Sequence, residues 1–184
     1  PKHDGAIAWG ESGPLRGAKG SSYEGGVRVP CMARWSGMIP EGRVSDALFS
    51  TLDFLPTFAA LTGFEAPKDR PLDGVDQTAL LKGQSEMGAR DHFYYYIKGE
   101  LQGVRHHNWK LILPNRQTFY GYVKDRGSES VELYDLSNDI GETRNLAKNH
   151  PELVQKLLAL ANQAPEAEDP TILKNIRIPN TNSK

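Results

Sequence analysis

The chain has 184 residues, 22 Lys and Arg against 23 Asp and Glu, and a formal net charge of −1. No apolar run approaches the roughly 18–20 residues of a membrane-spanning helix, and neither charge gathers into a block that would track a phosphate backbone, so membrane and nucleic acid are not expected partners. One cysteine, Cys31, excludes an internal disulfide and a four-cysteine metal site.

In chain order, Pro1-Lys2-His3-Asp4-Gly5 has neither an apolar signal region nor an initiator Met, and reads as mid-protein loop. Residues 1–22 are glycine-rich with little periodicity, which predicts a long loop of unusual backbone path, the kind that commonly serves a site. Val27, Val29, Cys31, Ala33 and Trp35 then alternate with period two, predicting a half-buried strand with Pro30 at an edge or bulge. Cys31 falls on its apolar face as a small buried hydrophobe. After a turn over residues 37–42, Asp53 to Leu61 predicts a helix with Asp53 as N-cap, Pro56 in the first turn and Gly63 as the stop. Residues 63–91 read as linker, with a short helical segment near Gln77 to Leu81.

Downstream the pattern becomes strand-like: Phe93 to Ile97, then Leu101 to Arg105 and Trp109 to Leu113 around a turn His106-His107-Asn108, then Val131 to Tyr134. Pro151 opens a last helix whose stripe is Leu153, Leu157 and Leu160, with Val154 and Ala161 beside it. These elements predict a small α+β lobe: an antiparallel sheet and a covering helix. The domain division expected is 1–64, a linker 65–91, a lobe 92–163 and a polar tail 164–184.

The densest chemical signal is Gly13-Pro14-Leu15-Arg16-Gly17-Ala18-Lys19-Gly20-Ser21-Ser22-Tyr23-Glu24-Gly25-Gly26-Val27-Arg28-Val29-Pro30. Glycines let backbone approach a ligand, and a lysine on such a loop offers a compact charge with three donors to a tetrahedral oxyanion. On composition alone this is either an anion site or a solvated basic loop stabilised by an Arg–Glu pair.

The whole string resembles the signature G-P-L-R-G-x-K-x-x-x-x-E-G-G-x-R-x-P of type I sulfatases, in the alkaline phosphatase superfamily. Further landmarks of that family are similar: Ser50 to Thr57, Leu72 to Asp76, Val104-Arg105 with Trp109-Lys110-Leu111, Glu132 to Leu136, and Asp139 to Leu146, where Ile140 stands in place of the customary proline. The resemblance covers about residues 10 to 162. It implies an α/β sulfatase fold, of which this chain would hold the remainder of the large-domain sheet and a small C-terminal α+β lobe.

In that family the lysine of the string contacts the sulfate, so the resemblance places Lys19 as a catalytic and substrate-binding residue. Arg16, Glu24 and Arg28 match fixed positions whose implied role is to shape the loop. The resemblance further implies a formylglycine nucleophile from a C-x-P-x-R or S-x-P-x-R motif and a divalent cation, usually calcium, both expected in a missing N-terminal half. The chain alone is therefore expected to be inactive. Cys31 fails the motif. Ser12-Gly13-Pro14-Leu15-Arg16 matches its letters, but helix-poor residues follow it, and the same letters belong to the sulfate-contact string.

His3, Asp4 and Glu11 have no metal-motif spacing, and no metal site is expected in this chain. His106 and His107 read as exposed turn residues, with a sugar contact by His106 as the functional alternative; Tyr94 to Tyr96 read as strand packing. The expected substrate is a sulfated carbohydrate or aryl sulfate, in a periplasmic, secreted or lysosomal setting. Two rival readings remain: a phosphate or phosphonate monoester hydrolase of the same superfamily, and a non-catalytic carbohydrate-binding module. An unpaired strand around Val29 would expose an edge and favour self-association.

Overall fold

The computed structural model describes residues 11–114 and 128–166. Its contacts gather into two units, one from residues 1–28 with 94–184 and the other from Val29–Phe93.

The first unit is built on a sheet of four strands in the order β1-β2-β3-β4: β1 His92–Ile97, β2 Glu100–His106, β3 Trp109–Ile112 and β4 Glu132–Asp135. β3 pairs antiparallel with both neighbours, Val104 opposite Leu111 on one side and Leu111 opposite Leu133 on the other. Lys98 and Gly99, at φ 54° and 80°, make the two-residue turn between β1 and β2, the twist that a tight hairpin favours. β2 runs one residue further than the sequence indicates, because His106 pairs with Trp109 and leaves His107, at φ 52°, and Asn108 to turn the chain.

One face of the sheet takes the helix α4, Pro151–Ala161, with Pro151 in its first turn where no hydrogen bond is lost. Val104, Leu111 and Leu133 pack there against Val154, Leu157 and Ala161. The expected stripe is turned slightly: Val154 and Ala161 are buried, whereas Leu153 and Leu160 flank the core half-buried. The alternation of β3 and β4 sends Ile112 and Tyr134 to the opposite face, where they meet Tyr23 from the glycine-rich segment. The α+β lobe is thus a sheet with a helix on one side and the glycine-spaced loop on the other.

The second unit contains a 3₁₀ turn, Thr51–Asp53, running into α2, Phe54–Thr62, and a short α3, Thr78–Leu81. Gly63 ends α2 at φ 74°, the left-handed stop the sequence predicts. The N-cap is a correction. Ser50, not Asp53, caps the turn, accepting from Leu52 N at 3.3 Å, while the Asp53 carboxylate accepts from Ser50 N at 2.9 Å and Val75 N at 2.9 Å and pairs with Arg90. The carboxylate thus completes the capping box with Ser50 and also ties distant segments together. Gln77 adds to the tie, its backbone N–H donating to Thr57 Oγ1 at 3.0 Å and its side-chain carbonyl accepting from Ala89 N at 2.8 Å.

The strand expected over Val27 to Trp35 does not form. Glu24–Val27 makes a single helical turn, α1, and residues 28–35 run without a ladder. A strand needs a neighbour to satisfy its N–H and C=O groups, and Pro30 contributes no donor. Among the described residues the four strands pair only with one another. Cys31 is accordingly exposed instead of buried, as are Val29 and Met32 at 68% and 95%. The polar tail expected from residue 164 lies outside the described residues beyond Glu166.

Candidate functional site

The loop is a set of turns closed on themselves. Gly13, Gly17 and Gly20 take φ values of 59°, 77° and 96°, conformations open to glycine and strained in other residues. Ser12 Oγ donates to Gly17 O at 3.1 Å, and Ser21 donates through N and Oγ to Ala18 O at 3.0 and 2.9 Å. Lys19 sits exposed between these turns. The loop returns on itself where Gly25 N donates to Arg16 O at 2.8 Å. Gly25 and Gly26 have no room for a side chain: a Cβ would stand 2.6 Å from Arg16 O at Gly25 and 2.7 Å from Ala18 O at Gly26.

Beneath the loop lies a buried set of charges. Lys110 of β3, fully buried, places Nζ 2.8 Å from Glu24 Oε1 and 3.0 Å from Glu142 Oε1, and 4.8 Å from the centre of the Tyr95 ring. The contact with Glu142 is an ion pair off the hydrogen-bonding line, leaving that oxygen without a hydrogen bond. Glu142 Oε2 accepts from Glu24 N at 2.7 Å. Arg105 and Arg28 approach Glu24 Oε2 at 3.8 and 3.6 Å. Arg16 donates to Tyr134 Oη at 2.7 Å and to Glu142 O at 3.2 Å, and its guanidinium lies 3.8 Å over the Tyr23 ring. Tyr23 and Tyr134 both donate to Glu132 Oε2 at 2.8 Å.

The two carboxylates that share Lys110 part in their acidity. Burial pushes Glu24 upward, but Lys110, Arg105 and Arg28 together outweigh it and leave its pKa below the usual carboxylate value. For Glu142 burial prevails over Lys110, and its pKa is raised. Lys110, despite a burial that favours the neutral amine, is held protonated by the surrounding negative groups, its pKa raised. One ammonium facing two carboxylates cannot neutralise both, and the carboxylate with fewer cations takes the first proton. Burial and the hydrogen bond to Glu132 keep Tyr134 protonated, as a donor requires.

Of the residues singled out in the sequence, Lys19 is carried on the loop and His106 at the end of β2, where its ring stands 4.3 Å from that of His107. Arg16 and Glu24 tie the loop's two ends to the sheet; Arg28 adds an outer ion pair to Glu24. Ser12 lies in a turn, and among the described residues the first helix begins only at Glu24. His3 and Asp4 lie outside the described residues, and Glu11 is exposed. Among the described residues no three His, Cys, Asp or Glu side chains gather where a metal ion would sit. The carboxylates Glu24 and Glu142 are occupied by Lys110 and arginines, so the described residues do not fit a calcium ion.

A family described as N-sulphoglucosamine sulphohydrolase, C-terminal, matches residues 18–166. The chain belongs to this family of sulfatase C-terminal regions. It is 43% identical to mouse steryl-sulfatase over 156 residues, covering 74% of this chain and 25% of that protein. With human arylsulfatase A it shares 38% over 169 residues, 82% of this chain and 33% of the relative. The solved structure of a sulfatase from Pseudoalteromonas sp. aligns with a TM-score of 0.70 at 26% identity, over 82% of this chain and 32% of that one. The chain thus spans between a quarter and a third of the length of these relatives.

Sequence reasoning reached Lys110 and Glu142 only as family landmarks and gave them no role. A signal was present: Lys110 stands between Trp109 and Leu111-Ile112 in a strand with apolar neighbours, and a lysine buried in such a strand requires carboxylate partners. Which carboxylates answer it, Glu24 and Glu142, is a matter of tertiary contact that spacing does not reveal.

Proposed function

We propose that this sulfatase C-terminal region belongs to an enzyme that hydrolyses sulfate esters of a carbohydrate or aryl alcohol, with Lys19 contacting the sulfate. The observation that carries the reading is the loop: an exposed lysine between the left-handed Gly17 and Gly20, on a base fixed by buried ion pairs. In the reaction the ester's S–O bond breaks, water oxygen ends on sulfur, and the departing alcohol oxygen takes a proton. Charge on the transferred sulfuryl oxygens grows along the way, and a preplaced ammonium lowers the barrier by meeting it.

In this reading residues 1–64 come from the catalytic α/β domain and residues 92–163 form the lobe, with the loop around Tyr23 packed on the lobe's sheet. The formylglycine nucleophile and a divalent cation, calcium by family likeness, are supplied by the remaining sequence of the enzyme, and this chain alone is inactive. The exposed apolar residues Val29, Met32 and Trp35 belong against that remaining sequence; in the isolated chain they favour self-association. A periplasmic, secreted or lysosomal setting accords with the family; among the described residues no helix is long and apolar enough to cross a membrane. His106, at the hairpin end, is the proposed sugar contact.

The test is Lys19→Ala in the full-length enzyme, assayed on a chromogenic aryl sulfate and its phosphate counterpart. Turnover of the sulfate ester is expected to fall by on the order of 10²-fold. Unchanged sulfate release would remove Lys19 from the site, and preference for the phosphate ester would reassign the substrate.

A further inference from the structure

We propose that Lys110, remote in sequence from the loop and shielded from solvent, is a positioning residue that holds Lys19 in its working place. The inference rests on the assignment of Lys19 above and deepens it.

Lys110 sits in β3, which is hydrogen-bonded on both sides, so its backbone is among the best fixed in the lobe. Its ammonium reaches Glu24 at 2.8 Å and Glu142 at 3.0 Å. Those two residues secure the loop at both ends. Glu24 is the residue where the loop re-enters helix, and its N–H donates to Glu142 Oε2 at 2.7 Å. Arg16, where the loop departs, donates to Glu142 O at 3.2 Å and accepts from Gly25 N at 2.8 Å. Lys19 lies between these two anchored points, with Ser21 and Tyr23 buried on the return path.

Glu142 is itself held at a cost. It takes φ 51°, a left-handed conformation unfavourable for a residue with a side chain. The Asp139 turn imposes it: Glu142 N donates to Asp139 O at 3.1 Å, and the Asp139 carboxylate accepts from Thr143 N and Arg144 N at 2.8 Å each. Gly141 leaves room for the loop as well, since a Cβ there would stand 2.9 Å from Pro14 O. A strained carboxylate, a buried ammonium and both loop ends therefore converge on one point. An apolar side chain at position 110 would fill the volume, but it would leave two buried carboxylates to repel each other and release the loop's base.

The consequence is kinetic. Displacing a charge-stabilising group by about 1 Å costs up to 10²-fold in rate. Lys110→Met in the full-length enzyme is expected to lower kcat by about 10-fold or more, with a smaller change in KM. Because Lys110 acts through Lys19, the two losses are not additive: in a Lys19→Ala background, Lys110→Met is expected to change kcat by less than about 2-fold. Should Lys110→Met fail to fold, the same cycle is run with Lys110→Met and Glu142→Gln combined, which removes the ammonium together with one carboxylate and leaves Glu24 facing Arg105 and Arg28. Additive losses, or a folded Lys110→Met enzyme with the parent kcat, overturn the positioning role. If Lys19→Ala alone retains turnover, the sulfate-contact reading fails, an outcome separate from failure of the cycle.

Discussion

Replacing Gly26 by alanine adds one methyl group at a place where the structure has no room for it. Gly26 follows Gly25 in α1, and its φ is not in the left-handed region, so backbone strain plays no part. The effect is steric. The new Cβ would stand 2.6 Å from Ser21 Oγ and 2.7 Å from Ala18 O, and closer still to the Ser21 carbonyl. Two of these are backbone atoms on either side of Lys19, and ordinary carbon contact lies near 3.5 Å, so the turn must retreat by roughly 1 Å. Overpacking of this kind destabilises by about 1–3 kcal/mol. The displaced segment is the one that carries the ammonium, so the larger loss is expected in turnover, approaching 10²-fold for a shift of that size. Urea unfolding and steady-state turnover on an aryl sulfate, both on the full-length variant, separate the two effects. An enzyme with parental stability and parental kcat would show that the loop does not follow the path described, and the account of Lys19 would lose its frame.

Glu24→Gln is expected to cost about 3 kcal/mol at pH 7, because its carboxylate faces Lys110, Arg105 and Arg28. Glu142→Gln should cost only about 1 kcal/mol, since the amide oxygen still accepts from Glu24 N; chemical denaturation of both variants checks the order, and the reverse order would contradict it. The pH dependence runs in opposite senses for the two residues. The lowered pKa of Glu24 gives stability that is present above its ordinary value of 4.5 and lost as pH falls through the lowered one. The raised pKa of Glu142 gives a contribution present below 4.5 and lost as pH rises through the raised value. In the other unit, Asp53→Asn removes the partner of Arg90 and should cost about 3 kcal/mol at pH 7. Asp53 has a lowered pKa, since its hydrogen bonds and Arg90 outweigh burial, so the difference between parent and variant should shrink as pH falls below 3.8; a pH-independent difference would argue against the ion pair.

The sheet and its helix were legible because their causes are local. Strand-forming residues over 93–97, 101–105 and 109–113 gave the strands, and Pro151 with the leucine pattern gave α4. The loop was legible as a loop because its glycines announce left-handed turns. Three things were not. Alternation over Val27 to Trp35 is a true period-two pattern, but a pattern states only which faces differ, and no described strand stands beside it. Asp53 had the letter and place of an N-cap, yet Ser50 three residues earlier was the better cap and freed the carboxylate for Val75 and Arg90, contacts 22 and 37 residues away. The pairing of Lys110 with Glu24 spans 86 residues, and nothing in either residue's neighbourhood points to the other.

The loop's fixed letters then divide by physical role. Gly25 and Gly26 are required because carbonyls of the outgoing strand of the loop pass where a Cβ would stand, and Glu24 because a buried ammonium needs a carboxylate. Arg16 is required because one guanidinium can stack on Tyr23 while donating to Tyr134 and to Glu142 O. Each of these is accounted for by what it touches within the lobe. Lys19 is exposed, on a segment that the other letters hold in shape. Together they fix the backbone path on which Lys19 is carried.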